Sequence, residues 1–102
     1  MLFEWDVKKA EANLKKHGVS FEEAATVFDD PDALELPDGK HSTPAEIRSF
    51  RLGKSAMERT LLVVFTERGR KSHDKEIIRI ISARPASRKE KEVYFTHRSD
   101  KP

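Results

Sequence analysis

The stretch TLLVVFTERGRKSHDKEIIRIIS, residues 60–82, decides the fold class. It contains two apolar runs, residues 60–66 and 76–82, separated by a polar and basic connection. Short runs rich in Val, Ile and Phe predict β-strands. Because the connection is too short for a crossover helix, we expect the two strands to pair antiparallel.

Further strands are predicted on the N-terminal side of this pair. Residues 33–36 and 47–52 have strand character, and Pro37-Asp38-Gly39 supplies the turn residues between them. Residues 2–5 are a candidate for a short edge strand. We therefore expect one curved antiparallel sheet, with helices packed on one face and the other face partly open.

Two helices are predicted between the first edge strand and the rest of the sheet. Asp6 is a candidate N-cap for the first helix, and Gly18 fits the left-handed position that ends it. Ser20 and Glu23 match a capping box that starts the second helix. That helix is expected to end before Pro31. The predicted fold class is α+β, with an N-terminal helical hairpin, a curved antiparallel sheet and a C-terminal helix.

Length and composition set limits on the kind of protein. With 102 residues, an 11.7 kDa mass and no cysteine, residues 1–102 are expected to form one small domain. The lack of cysteine excludes disulfides, thiolate nucleophiles and zinc knuckles. No apolar run approaches 18 residues and no export signal is visible, so the cytoplasm is the expected compartment.

Charge is distributed unevenly along the chain. The net charge is +2, but residues 1–67 carry 9 basic and 13 acidic side chains, whereas residues 68–102 carry 11 basic and 5 acidic ones. A basic segment suits a polyanion such as nucleic acid. A solvated, charged helix and loop is an equally acceptable interpretation of the pattern.

Metal and nucleotide motifs find no support. The four histidines show no His-x-x-x-His pair, and the run Asp29-Asp30-Pro31-Asp32 lacks the glycine and distal glutamate of a calcium loop. There is no phosphate-binding Gly-Lys-Ser/Thr loop and no Gly-x-Ser-x-Gly elbow. No cofactor and no metal site are therefore expected.

Three arginines lie in the predicted strands or at their ends. Arg79 interrupts an apolar run, and strict alternation places it on the same face as Ile81 and opposite Ser82. Arg84 follows this strand and Arg68 ends the preceding one. Such guanidinium groups either bind phosphate or form structural ion pairs with neighbours in the sheet.

The last helix, predicted over residues 86–97 after Pro85, carries a carboxylate and a phenol one turn apart. Glu90 and Tyr94 are four residues apart and therefore adjacent. Glu90 either pairs with an arginine, which lowers its pKa, or is desolvated, which raises it. Tyr94 is a stacking platform, a proton donor or a core residue.

These residue types together fit RNA cleavage without a metal ion. Attack of a 2′-hydroxyl on the adjacent phosphate needs a base, positive charge at the phosphorane and a proton donor for the leaving oxygen. Arginines supply the charge, and Glu90, Tyr94 or His17 can handle protons. His17 is also explained by a favourable interaction with the helix C-terminus, where Lys16 precedes it.

Three stretches resemble the BrnT toxins of BrnT/BrnA type II toxin–antitoxin modules. They are FEWD at residues 3–6 through NLKKHGVSFEEA at 13–24, LVVFTER at 62–68, and RIISAR at 79–84 with Ala86, Glu90 and Tyr94 at the family's spacing. The resemblance implies a RelE-like fold and ribonuclease activity that inhibits translation. It also implies neutralisation by a cognate BrnA-like antitoxin, through which alone the protein would contact DNA. A dimer and a heterotetramer with the antitoxin are both possible assemblies.

The leading hypothesis is therefore a toxin ribonuclease that binds RNA on the open sheet face. The predicted catalytic residues are Arg79, Arg84, Glu90 and Tyr94, and the predicted RNA-binding residues are Lys16, His17 and Arg68. The alternative is a non-catalytic module that binds an antitoxin-like protein. Sequence-specific DNA binding is disfavoured, because Glu90 and Glu92 on the last helix would face phosphates poorly.

Overall fold

Across residues 1–68 and 76–99, which the computed structural model describes, the chain forms five strands and three helices. The strands are β1 (Leu2–Glu4), β2 (Leu34–Pro37), β3 (Arg48–Lys54), β4 (Thr60–Arg68) and β5 (Ile77–Pro85). The helices are α1 (Val7–His17), α2 (Phe21–Thr26) and α3 (Arg88–Ser99), with 3₁₀ turns at Val27–Asp29 and Gly39–His41. The predicted basic connection at 69–75 lies outside the described residues.

The sheet has the order β1-β5-β4-β3-β2. The predicted meander from β2 to β5 is confirmed, because each of these strands pairs antiparallel with the next. The prediction of a wholly antiparallel sheet was wrong at one edge, where β1 pairs parallel with β5 and Phe3 lies opposite Ile78. Short loops impose antiparallel pairing only on strands that they connect, and no such loop joins β1 to β5.

The predicted helix boundaries near the N-terminus follow from their caps. Asp6 accepts a hydrogen bond from a backbone N–H of the first turn, and Gly18 adopts a φ of 69° where α1 ends. Ser20 Oγ accepts from the N–H of Glu23 at 3.0 Å, which is half of the predicted capping box. The Glu23 carboxylate bonds to Arg59 rather than completing that box.

Helices pack on both faces of the sheet, so the expectation that they share one face was wrong. The core on the first face, called here the covered face, joins Phe21 and Ala24 of α2 to Leu61, Val63 and Ile78. A second, smaller core joins Tyr94 of α3 to Leu52 on the opposite, open face, with Leu62 packed against it. Strand β4 is a continuous apolar run, so both of its faces need cover. Helix α3 covers one end of the open face and leaves the remainder accessible.

A β-bulge changes which side chains of β5 share a face. The register between β4 and β5 shifts after Val64, which pairs with Ser82, while Phe65 pairs with Ile80. The extra residue, Ile81, lets the alternation restart, since a bulge sets two residues opposite one. Ser82 therefore lies beside Ile81 and lines the same pocket, contrary to the prediction that these two residues point to opposite faces.

We predict that Gly53→Ala destabilises the protein by about 1–3 kcal/mol, because it overpacks the contact between β3 and the Val27–Asp29 turn. A Cβ at Gly53 would lie 2.8 Å from the Cβ of Ala33 and 2.9 Å from Asp30 Oδ2. The matched control is Gly39→Ala, since a Cβ at Gly39 meets nothing within 4 Å. Urea unfolding of both variants measures the effect, and equal midpoints would contradict the prediction.

Candidate active site

Arg84 and Glu90 form a two-pronged ion pair on the open face. Nη1 and Nη2 of Arg84 each lie 2.8 Å from one carboxylate oxygen of Glu90. Glu90 also accepts from the N–H of Ser87, whose hydroxyl accepts from the N–H of Glu90. Ser87 and Glu90 thus complete a capping box at the start of α3, which explains why this helix starts later than predicted.

The hydrogen bonds from Arg84 lower the pKa of the Glu90 carboxyl to about 2, although partial burial opposes them. Glu90 is therefore an anion at neutral pH. A carboxylate in this state orients a guanidinium but is a poor proton donor. The open choice between pairing and desolvation is thereby decided in favour of pairing.

Arg79 stands on the same face as Arg84 because of the bulge. Its Nη1 donates to Glu4 Oε2 of β1 at 2.7 Å, and about one third of its side chain is exposed. The two arginines are roughly 15 Å apart along β5, by the usual rise of a strand. Arg68 is exposed at the far end of β4, opposite Ile77 in the pairing.

Tyr94 is buried rather than available to a substrate. Its side chain is 1% exposed, and its hydroxyl donates to Asp30 Oδ2 at 2.7 Å. Burial and the Asp30 carboxylate together raise the pKa of the Tyr94 phenol well above its ordinary value. Tyr94 therefore ties α3 to the segment that follows the Val27–Asp29 turn.

Lys16 and His17 lie at the C-terminal end of α1, away from Arg79 and Arg84. This helix packs on the covered face, where the Asn13 side chain bonds to the backbone of β5. Lys16 is exposed and His17 is half-buried. The structure does not bring these two residues together with the arginines of the open face.

An apolar groove of about 300 Å³ lies between the open face and α3. Its lining residues are Leu34, Leu36, Phe50, Leu52, Leu62, Arg84, Glu90 and Val93. Leu36 and Val93 remain more than half exposed. The groove thus offers apolar surface directly beside the Arg84–Glu90 pair.

A second pocket on the open face contains polar residues that the sequence analysis missed. It has a volume of about 220 Å³ and brings together Asp38, His41 and Arg48. His41 Nδ1 lies 3.0 Å from Asp38 Oδ2. The signal in the sequence was the spacing of Asp38 and His41, which sets both side chains at one 3₁₀ turn after the predicted Pro37-Asp38-Gly39 turn.

Residues 1–68 and 76–99 contain neither a candidate metal site nor a candidate membrane-spanning helix. No group of three or more His, Asp or Glu side chains there is arranged to hold a metal ion. No helix in that part of the chain is long and apolar enough to span a membrane.

Comparison with known proteins gives a family and a fold. Residues 5–90 match the family model described as "Ribonuclease toxin, BrnT, of type II toxin-antitoxin system". Among solved structures, the chain is similar to the crystal structure of the Brucella abortus ribonuclease toxin BrnT, with a TM-score of 0.61 and 23% identity, over 86% of this chain and 100% of that one. No curated protein sequence matches the chain.

The structural likeness shows a shared α+β fold, and the family match supports the resemblance read from the sequence. That match extends from Trp5 to Glu90 and so covers most of the chain. The chain therefore belongs to the BrnT family of ribonuclease toxins of type II toxin–antitoxin systems.

Proposed function

We propose that this chain is a cytoplasmic endoribonuclease that cleaves RNA on the open sheet face without a metal ion and thereby inhibits translation. In this proposal a cognate BrnA-like antitoxin neutralises it, and its fold is related to that of RelE-like ribonucleases. The observation that carries the proposal is the half-exposed Arg84 guanidinium, which is held in place beside an apolar groove.

Arg84 retains hydrogen-bonding capacity for a phosphate. Glu90 occupies the end of the guanidinium formed by Nη1 and Nη2. Among the described residues, none accepts a hydrogen bond from Nε, so the Nε and Nη2 edge is available to two phosphate oxygens. Two-pronged binding of this kind is the strongest that arginine offers to phosphate.

The remaining predicted residues receive different roles in this proposal. Arg79 and Arg68 bind neighbouring phosphates along the same face, and the groove accepts a base. Glu90 is a positioning residue for Arg84, whereas Tyr94 anchors α3. Lys16 and His17 stay predicted contacts for RNA beyond the edge of the sheet.

The apolar groove favours a second candidate function, a surface that binds an antitoxin-like protein without catalysis. Leu36 and Val93 expose enough apolar surface for a partner side chain to dock between the sheet and α3. This candidate predicts partner binding without RNA cleavage. The ribonuclease is preferred because the same groove adjoins an arginine that can bind phosphate.

The test is incubation of the purified protein with total RNA in excess EDTA. Cleavage that persists supports the metal-independent ribonuclease. Loss of cleavage on chelation, followed by recovery with a divalent cation, would contradict metal independence. An absence of cleavage under all conditions would favour the non-catalytic module.

In the same assay we predict that Arg84→Ala lowers the rate of cleavage roughly 10- to 100-fold, because a two-pronged phosphate contact that holds the RNA on the open face is lost. Arg88→Ala is the matched control, since it removes the same charge from an exposed position at the start of α3. Far-UV circular dichroism checks folding. An Arg84→Ala variant that unfolds would identify the pair with Glu90 as structural, and Arg84→Lys then tests the two-pronged contact with the charge retained.

A further inference from the structure

The pocket around His41 is a second polar site on the open face, apart from the Arg84–Glu90 pair. Its walls come from the turn after β2, from β3, β4 and β5. The lining residues are Asp38, His41, Arg48, Phe50, Val64, Ile81 and Ser82. Phe50 also lines the apolar groove, so the pocket and the groove lie next to each other.

Asp38 holds the imidazole of His41 in one orientation. The Asp38 side chain is about 6% exposed, and its carboxylate oxygens lie 3.2 and 3.0 Å from His41 Nδ1. Asp38 is fixed in turn, because its N–H donates to the Arg48 carbonyl at 2.9 Å. With Nδ1 engaged, Nε2 is the nitrogen left for a substrate, as in other histidine–carboxylate pairs that transfer protons. The His41 side chain is 59% exposed, so a substrate can reach it.

Arg48 brings positive charge to the same pocket. Its Nε donates to Glu46 Oε1 at 2.9 Å, and about one third of its side chain is exposed. Its two terminal nitrogens donate no hydrogen bond to any residue in the described part of the chain. Ser42 stiffens the connection, since its hydroxyl donates to the Asp38 carbonyl at 2.6 Å and accepts from the N–H of Arg48 at 2.9 Å.

The bulge in β5 completes the pocket from the other side. Without it, strict alternation would place Ser82 on the covered face. The extra residue at Ile81 instead leaves the Ser82 side chain in the pocket wall, where its hydroxyl is a hydrogen-bond donor. A proton-transfer group, a guanidinium and a hydroxyl therefore converge on one 220 Å³ space.

We propose that His41 is the catalytic base of RNA cleavage, with Asp38 as its positioning residue and Arg48 as the group that stabilises the phosphorane. This inference rests on the proposed ribonuclease function. His41 Nε2 accepts the proton of the 2′-hydroxyl, and the 2′ oxygen forms a bond to phosphorus. The bond from phosphorus to the 5′ oxygen then breaks, and that oxygen takes a proton from water. The products are a 2′,3′-cyclic phosphate and a 5′-hydroxyl, and His41 returns its proton to solvent.

The test compares His41→Gln with the matched control His97→Gln in single-turnover cleavage of an RNA oligonucleotide. We expect His41→Gln to lose about 100- to 10,000-fold in rate with little change in RNA affinity, because base catalysis is removed and binding is retained. His97 lies on α3 outside both sites, so its variant is expected to stay within twofold of the wild type. A His41→Gln enzyme within threefold of the wild type would overturn the inference.

The pH dependence separates proton transfer from a structural role. The wild-type rate should rise as the pH is raised, because a general base must be unprotonated to accept the proton of the 2′-hydroxyl, and His41→Gln should lack this rise. The charged groups that face His41 are Asp38 and Arg48, with Glu46 paired to the latter, while β4 and β5 contribute only Val64, Ile81 and Ser82. The Asp38 side chain also caps the 3₁₀ turn by accepting a hydrogen bond from the N–H of His41. Asp38→Asn keeps a capping oxygen but removes the charge, so it should lower the rate without unfolding the turn. An unchanged pH profile in His41→Gln would contradict the proposal.

A binding measurement distinguishes failure of this inference from failure of the ribonuclease function. Cytidine 3′-monophosphate is titrated into the wild-type protein and the imidazole resonances of His41 are followed by NMR. If the wild type does not cleave RNA, the ribonuclease proposal fails, and a shift of these resonances that Arg48→Ala abolishes still supports a nucleotide-phosphate site. An absence of any shift overturns the proposed nucleotide-phosphate site in this pocket as well.

Discussion

Replacing Asn13 with alanine is expected to lower the free energy of unfolding by about 3–5 kcal/mol, because it leaves three buried backbone groups without partners at roughly 1–3 kcal/mol each. Asn13 Nδ2 donates to the carbonyls of Val19 and Ala83 at 3.0 and 2.8 Å, and its Oδ1 accepts from the N–H of Ala83 at 3.1 Å. β1 pairs with β5 only as far as Arg79, so β1 does not reach the backbone of Ala83. The Asn13 amide bonds to both backbone groups of Ala83 and thus takes the place of a neighbouring strand.

Urea unfolding followed by the fluorescence of Trp5, the single tryptophan, measures this loss. Trp5 packs against Phe21 in the core, so its emission reports the region that Asn13 holds together. The matched control is Lys15→Ala on the exposed side of α1, which should change stability by less than about 0.5 kcal/mol. A loss below 1 kcal/mol in Asn13→Ala would mean that water or a shifted backbone satisfies the three groups.

Replacing Glu23 with glutamine is expected to cost about 2–3 kcal/mol at neutral pH, because charge-assisted hydrogen bonds of a buried carboxylate are lost. Glu23 is 6% exposed and accepts from Arg59 Nε at 2.9 Å and from Ser55 Oγ at 2.7 Å. A second guanidinium nitrogen of Arg59 also contacts the carboxylate, and the same nitrogen donates to the carbonyl of Gly18. The carboxylate thus links α2, the turn between β3 and β4, and the end of α1.

The cost should depend on pH in a defined direction. The hydrogen bonds from Arg59 hold the pKa of Glu23 below its ordinary value of 4.5, against the opposing effect of burial. A depressed pKa in the folded state stabilises the protein above the unfolded value, and this stabilisation is lost as pH falls through the folded value. The stability gap between wild type and Glu23→Gln is therefore full at pH 7 and shrinks below about pH 4.5.

Glu22→Gln is the matched control, since it makes the same chemical change at the exposed neighbouring position. We expect a change below about 1 kcal/mol and no difference from wild type in the acid range. Unfolding curves collected between pH 3 and 7 provide the comparison. A Glu23→Gln gap that stays constant over this range would contradict the assignment of the pH dependence to Glu23.

The candidate site illustrates where sequence reasoning stops. Glu90 was expected either to pair with an arginine or to be desolvated, and only the folded chain shows that Arg84 reaches it with both terminal nitrogens. Tyr94 had three interpretations, and its burial against Asp30 depends on α3 crossing to the open face. The sequence did not single out His41 as a site residue, because a histidine in a polar loop follows no periodic pattern from which its neighbours in space could be predicted.

The sequence by itself determined the local structure and the protein family. The caps at Asp6, Gly18 and Ser20 act over a single turn, so residue types set the ends of the N-terminal helices. Apolar runs and short loops likewise predicted the antiparallel pairing of β2 to β5, and three stretches of sequence indicated the BrnT family by their resemblance to it. The helix caps and the pairing of strands joined by short loops depend only on contacts between residues close in sequence.

Only the tertiary structure decided which distant groups meet. The bulge after Val64 turns Arg79, Ser82 and Arg84 toward one face, although alternation along β5 separates Arg79 from Arg84. Asn13 finds the backbone of Ala83 seventy residues away in the sequence. The physical reason is that strand register and helix docking are chosen by the summed packing of the whole core, and a shift of one residue reverses the face of every side chain that follows.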